Sequence, residues 1–144
     1  MAEQEGDGQR TKMQGGAAAK PGYQDLIAWQ RAMELVTAIY RVTRDWPREE
    51  QYGLTSQIRR AAIAIPSNLA EGHGRSGPRE YAHHVSIAFG SLCELETQML
   101  IGEQLGYANG DTTAELMTRT AEVRRLIRGL IRSLRLPTSA EALS

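Results

Sequence analysis

Hydrophobic residues recur every three or four positions in four separate stretches of the chain, and polar residues fill the positions between them. This spacing matches the 3.6-residue turn of an α-helix, so each stretch predicts an amphipathic helix. Only a few residues separate one stretch from the next, and short connections make consecutive helices antiparallel neighbours. The pattern therefore predicts an all-α protein, an up-down-up-down antiparallel four-helix bundle over residues 23–136.

The first predicted helix ends just before Pro47, which biases the preceding residue away from helical geometry, and the second begins shortly after it. We expect Trp29, in the first helix, to lie in the core. The second helix begins near Glu49 and contains Pro66, which removes one backbone hydrogen bond and favours a kink or a short break. We predict one kinked helix, because Asn68, Leu69 and Glu71 continue the same face. The apolar seam of the first helix is Leu26, Trp29, Met33, Val36, Tyr40 and Thr43, and that of the second is Leu54, Ile58, Ala61, Ile65 and Leu69.

The third predicted helix opens at Pro78, which is tolerated in a first turn, and closes near Gly106. The fourth begins at Asp111 and Thr112, where Thr112 and Glu115 have the spacing of a capping box. We expect the third helix to pair with the second and the fourth to close against the first. The third seam is Tyr81, Val85, Ala88, Leu92, Leu95 and Met99, and the fourth is Leu116, Thr120, Val123, Ile127, Leu130 and Leu134.

Residues 1–22 and 137–144 have no hydrophobic period, so we predict that both are flexible tails. The N-terminal tail is predicted to be disordered. The chain holds a single cysteine, Cys93, which excludes an internal disulfide and a cysteine metal cluster. We therefore expect a cytoplasmic protein. No apolar run is long enough for a signal-peptide core or a membrane span, so no membrane partner is expected.

The formal net charge is zero, with 17 basic and 17 acidic residues, so the whole molecule has no field that draws it to nucleic acid. The fourth helix is locally basic. Arg124, Arg128, Arg132 and Arg135 follow one another at steps of 4, 4 and 3, with Arg125 beside them. Such a stripe can follow a phosphate backbone. The alternatives are a solvated face or pairing with Glu96 and Glu103, and no aromatic residue interleaves with the arginines to predict base stacking.

A second polar pattern lies on facing stripes of the second and third helices. Its members are Gln57, Arg60, Asn68 and Glu71 on the second helix and His84, Ser91, Glu94 and Gln98 on the third. If the stripes meet, an Arg60–Glu94 ion pair and an Asn68–Ser91 hydrogen bond cross between the helices, because buried polar groups need partners. The stripes are either a solvated outer face or a network that lines a subunit interface or binding groove.

Catalytic and metal chemistry find little support in the sequence. A di-iron bundle needs two Glu-x-x-His motifs, whereas the chain has one such spacing, Glu80 to His83. Cys93 stands beside Glu94, an acidic neighbour that disfavours the reactive thiolate, so we interpret it as a structural residue. We therefore expect no catalytic residue, no metal and no cofactor, and predict that the protein is not an enzyme.

Several longer motifs bear a family resemblance. Tyr52–Leu54, Gln57–Ala62, Ile65–Gly72, Ile87–Ser91 and Leu105–Tyr107 resemble the pattern of bacterial four-helix-bundle proteins that were first noted as reading frames inside 23S rRNA intervening sequences. The resemblance implies a ring-shaped homo-oligomer, typically a pentamer. It also implies kinship with accessory proteins of diversity-generating retroelements, which hold RNA or a reverse transcriptase on a basic outer surface. No catalytic residues come with the resemblance.

Two functional hypotheses follow. In the first, the protein is a non-enzymatic, self-assembling adaptor or scaffold that associates with RNA, a reverse transcriptase or a ribosome-associated protein through the arginines of the fourth helix. In the second, it is a homo-oligomeric, protein-binding scaffold with no nucleic-acid role, joined through the polar residues of the second and third helices.

Overall fold

The computed structural model describes residues 22–75 and 77–134, and this part of the chain forms four α-helices. Each helix packs against two others, so that α2 lies between α1 and α3, and α4 closes the bundle between α3 and α1. This arrangement confirms the predicted all-α four-helix bundle. The helices are α1 (Ile27–Thr43), α2 (Leu54–His73), α3 (Pro78–Gln104) and α4 (Gly110–Leu134), and 3-10 helices at Gly22–Asp25 and Arg48–Glu50 precede α1 and α2.

The predicted tails, residues 1–22 and 137–144, lie outside the described residues except for Gly22, which opens the first 3-10 helix. Arg135, the last arginine of the predicted stripe, also lies outside them.

One apolar stripe from each helix fills the centre of the bundle, where burial of apolar surface supplies most of the stabilisation. The seams predicted for the second and third helices are confirmed, with Ile58, Ile65, Leu69, Leu92 and Leu95 fully buried. On α4 the seam is buried from Leu116 to Ile127, and Leu130 and Leu134 are only partly covered at its end.

The seam predicted for the first helix is wrong at five of its six positions, because only Thr43 is buried. Met33 and Tyr40 remain 41% and 39% exposed, and Trp29 is only half-buried rather than in the core. The buried stripe lies on a different side of the helix and consists of Ala28, Ala32, Leu35, Ala38, Ile39 and Thr43. The bulkier residues then lie over the boundary between α1 and α2.

Pro66 does not break the second helix. The structure has one continuous helix from Leu54 to His73, with Pro66 buried inside it. The missing N–H costs the helix one hydrogen bond. The apolar residues on both sides of Pro66, including Ile58 and Leu69, pack into the same core. Tertiary packing therefore holds the helix together across the proline.

Two local hydrogen-bonding motifs shape the link between α3 and α4, one at the end of α3 and one at the start of α4. Gly106 has a left-handed φ of 80°, and the Tyr107 N–H donates to the Gly102 carbonyl (2.9 Å), which is a Schellman ending of α3. The predicted Thr112–Glu115 capping box is wrong. The N-cap is Asn109, whose Oδ1 accepts from the Thr112 N–H at 2.8 Å, because α4 begins at Gly110 and Thr112 already lies in its first turn.

Trp46 closes this end of the bundle. It follows α1, is only 8% exposed, and its ring packs against Tyr107 with the centroids 5.6 Å apart. It lies directly over Gly102, where a Cβ atom would come within 2.6 Å of the indole ring. The backbone of α3 therefore needs glycine at this position.

Replacing Gly102 by alanine is expected to destabilise the protein. The new methyl group must displace the buried Trp46 ring, and overpacking of this kind costs about 1–3 kcal/mol, against about 1 kcal/mol gained in helix propensity. Gly90→Ala is the matched control, because Gly90 lies in the same helix with no neighbour within 4 Å. It is expected to stabilise by about 0.5–1 kcal/mol. The comparison is the urea midpoint at one protein concentration, and equal midpoints for the two variants would contradict the packing argument.

Acidification is expected to weaken the same end of the bundle through Glu50. Its carboxylate accepts from the Leu54 N–H (3.0 Å) and the Tyr107 hydroxyl (2.8 Å), which hold the pKa of Glu50 below 4.5. The unfolded chain then binds more protons than the native one, so this stabilisation is complete above pH 4.5 and is lost as the pH falls below it. When the urea midpoint is measured between about pH 3 and 7, Glu50→Gln is expected to reduce the fall of the midpoint at acid pH, which we call the acid limb. The neighbouring Glu49→Gln is expected to leave that limb in place.

Candidate functional site

Two arginines of α4, Arg124 and Arg128, lie at the boundary with α3. Arg124 already has a partner within the protein, since it forms an ion pair and a hydrogen bond with Glu96 of α3. The alternative of pairing with Glu96 is thus confirmed for this one arginine. Arg125, Arg128 and Arg132 are exposed, and among the described residues no carboxylate lies within 4.0 Å of them. We call these three residues the arginine face.

The acidic residues of α4 point away from the arginine face. Glu122 lies 3.7 Å from Arg31 of α1, and Glu115 lies 3.5 Å from Arg119 one turn along the same helix. Because these carboxylates are engaged elsewhere, the arginine face keeps its positive charge although the chain is neutral overall.

An aromatic ring lies beneath the arginines, contrary to the sequence interpretation. The guanidinium carbons of Arg128 and Arg124 lie 5.2 and 5.9 Å from the centroid of the Phe89 ring, within cation–π range. Phe89 belongs to α3 and is half-buried. No spacing along α4 could indicate it, because the contact depends on how two helices are aligned.

The predicted polar network between α2 and α3 forms only in part. Gln57 and Arg60 of α2 and Glu94 of α3 line one groove of about 220 Å³, together with Gln98. Among the described residues no ion pair joins Arg60 to Glu94, so that prediction is wrong. Gln98 is 7% exposed, and its Oε1 has no hydrogen-bond partner within residues 22–75 and 77–134. The groove therefore contains a buried acceptor that the fold leaves unsatisfied.

The other predicted contact, between Asn68 and Ser91, is also wrong. Asn68 Oδ1 lies 3.3 Å from His84 Nδ1, and Asn68 Nδ2 donates to the Ala64 carbonyl at 2.8 Å. Glu71 lies on the same stripe, 3.7 Å from His84 and 3.1 Å from Arg75. The axial register of α2 against α3 thus places Asn68 opposite His84, two turns from Ser91.

An apolar groove runs between α1 and α2 on a different side of the bundle. It has a volume of about 320 Å³. Next to it, Tyr40 lies under the guanidinium of Arg59, 4.4 Å from the ring centroid. The three residues that α1 contributes to this groove, Trp29, Met33 and Val36, belong to the seam predicted for the first helix. Its lining residues are Tyr23, Trp29, Met33, Val36, Ile63, Pro66, Ser67 and Ala70.

The residues considered for chemistry do not converge. Glu80 and His83 line a shallow pocket with two arginines at the start of α3. Within residues 22–75 and 77–134, no group of three or more His, Cys, Asp or Glu side chains is placed to hold a metal ion. Cys93 is exposed. No helix in the described part of the chain has the length and apolar character required to cross a membrane.

The comparisons with known proteins agree with this architecture. The family model for the 23S rRNA-intervening sequence protein matches residues 24–129. No curated protein matches the chain. A crystal structure of a protein with unknown function, from the S23 ribosomal protein family of Bacteroides thetaiotaomicron, matches at a TM-score of 0.67 and 16% identity, covering 74% of this chain and 99% of that one. At this identity the likeness shows the shared fold. Since the family model covers most of the bundle, the chain belongs to the family of 23S rRNA-intervening sequence proteins.

Proposed function

We propose that this protein is a non-enzymatic, self-assembling scaffold that binds RNA through its arginine face. The observation that carries the proposal is that Arg125, Arg128 and Arg132 are exposed together, with no carboxylate within 4.0 Å in the described part of the chain. Guanidinium groups bind phosphate oxygens in bidentate geometry, and they are more weakly hydrated than ammonium groups. The family name, which refers to 23S rRNA, is consistent with an RNA partner.

The apolar groove between α1 and α2 supports the assembly part of the proposal. All the side chains that line it are uncharged, so it offers little to an ionic ligand. We infer that a second copy of the chain covers it, as in the ring-shaped oligomer that the family resemblance implies, with a pentamer as the expected ring. Assembly would place several arginine faces around one particle, and each added contact strengthens binding to a long polyanion.

Replacing the arginine face by alanine is expected to weaken RNA binding and its salt dependence. Each phosphate contact on a single strand contributes about 0.7 to the slope of log K against log salt, so Arg125→Ala/Arg128→Ala/Arg132→Ala should lower that slope by about 2. The matched control is Arg41→Ala/Arg44→Ala/Arg48→Ala, which removes the same charge from exposed positions at the end of α1 and after it. Wild-type protein that fails to bind RNA at low salt, or two triple variants with equal slopes, would contradict the RNA proposal.

Introducing a charge into the apolar groove is expected to dissociate the assembly. Met33 is 41% exposed and lines the groove, so Met33→Glu would bury a carboxylate in the proposed contact. Light scattering after size exclusion should show multiples of 15.9 kDa for the wild type and a single chain for the variant. Leu100→Glu, at 42% exposure on α3, is the matched control and should remain assembled. A wild-type protein of one chain would refute self-assembly.

The second candidate function is a homo-oligomeric protein-binding scaffold with no nucleic-acid role. The unpaired Oε1 of Gln98 favours it, because a partner that donates into the groove beside Arg60 and Glu94 would satisfy this acceptor. In that case Arg60→Glu, rather than Met33→Glu, would dissociate the oligomer, and RNA would not bind at low salt.

A further inference from the structure

Phe89 stands out among the residues near the arginine face because it is aromatic and only half-buried. Two guanidinium groups lie over its ring, that of Arg128 at 5.2 Å and that of Arg124 at 5.9 Å. Arg124 is fixed by Glu96, whereas no carboxylate among the described residues holds Arg128. The planar group of Arg128 is therefore free to move over the ring or to stack with an incoming planar group.

The remaining arginines flank this position along α4. Arg125 lies three residues before Arg128 and Arg132 lies four residues after it, which corresponds to rises of about 4.5 and 6 Å along the helix. Arg128, whose guanidinium lies over the Phe89 ring, is thus flanked along α4 by a positively charged residue on each side. Proteins that hold single-stranded nucleic acid combine these two elements, a basic track for the phosphates and aromatic or guanidinium planes for the bases.

We propose that Phe89 and the guanidinium of Arg128 stack an unpaired base while Arg125 and Arg132 contact the flanking phosphates, so that the arginine face binds single-stranded RNA in preference to duplex RNA. This inference rests on the proposed RNA-binding function and adds the form of the RNA. The bases of a duplex are stacked on one another and cannot reach a platform on the protein surface.

An acidic peptide is the competing ligand for three arginines, and the ring argues against it. The face of an aromatic ring carries negative quadrupole density, which repels a carboxylate, whereas a heterocyclic base can lie against it in an offset stack. A carboxylate would therefore contact the guanidinium groups and not the ring, and only a base would use Phe89 directly. The aromatic residue therefore favours nucleic acid as the ligand.

The test compares binding of one fluorescent RNA, as a single strand and as its duplex, to full-length variants at low salt. Phe89→Leu keeps an apolar side chain but removes the aromatic face. It is expected to weaken single-strand binding about 5- to 100-fold, the range of one base–aromatic stack, and to change duplex binding less than about twofold. Phe89→Trp, which restores a stacking surface, is expected to regain single-strand affinity. The matched control is Tyr40→Leu, because Tyr40 lies under Arg59 on the opposite side of the bundle and should not affect either RNA.

The single cysteine supplies an independent readout of position. Cys93 is exposed and lies one helical turn from Phe89, so a photoreactive label on its thiol would sit beside the proposed platform. The label is expected to crosslink single-stranded RNA. The same label on Ser67→Cys in a Cys93→Ser background, which places it in the apolar groove, is expected not to crosslink.

The outcomes separate this inference from the function on which it rests. Loss of RNA binding in the triple arginine variant, with no selective effect of Phe89→Leu on the single strand, would overturn the stacking inference and leave the RNA proposal intact. Equal affinity of the wild type for single strand and duplex would do the same. Absence of all RNA binding at low salt, or tighter binding of a polyglutamate peptide than of RNA, would overturn both.

Discussion

The close packing of α2 against α3 is the constraint on which the other features of the molecule depend. Ile58, Ile65, Leu69, Leu92 and Leu95 are fully buried in or beside this interface, and their packing outweighs the loss of a hydrogen bond at Pro66. The two helices approach so closely at Gly72 that a Cβ atom there would come within 2.7 Å of the His84 side chain. At the same end of the interface Asn68 lies opposite His84.

Three different surfaces surround this core, and their chemistry follows from which helices flank them. The boundary between α1 and α2 is apolar, the boundary between α2 and α3 is polar, and Arg128 of the arginine face lies at the boundary between α3 and α4. Between α4 and α1, an ion pair links Glu122 to Arg31. In a ring of identical chains, one surface of each chain contacts a different surface of the next chain. The bundle has unlike surfaces available for assembly and for binding a partner.

The local positive charge of α4 depends on which charged side chains pair with one another, and not on the overall composition of the chain. With 17 basic and 17 acidic residues the chain is neutral, yet the carboxylates near the arginines point to other partners. Glu96 neutralises Arg124 and at the same time positions it over Phe89. The remaining guanidinium groups keep their charge on one exposed side. Net charge alone is therefore a poor guide to whether this bundle can attract a polyanion.

The amino-acid sequence by itself determined the number of helices, their approximate limits, their antiparallel order and the core residues of α2, α3 and most of α4. These properties are local, because hydrophobic periodicity, prolines and glycines act within a few residues of the chain. Tertiary structure decided the rest: the burial of a different side of α1, the pairing of Asn68 with His84, and the position of Phe89 under Arg128. These contacts depend on the rotation and axial register of one helix against another. Packing of the whole core sets both, and no spacing within a single helix records them.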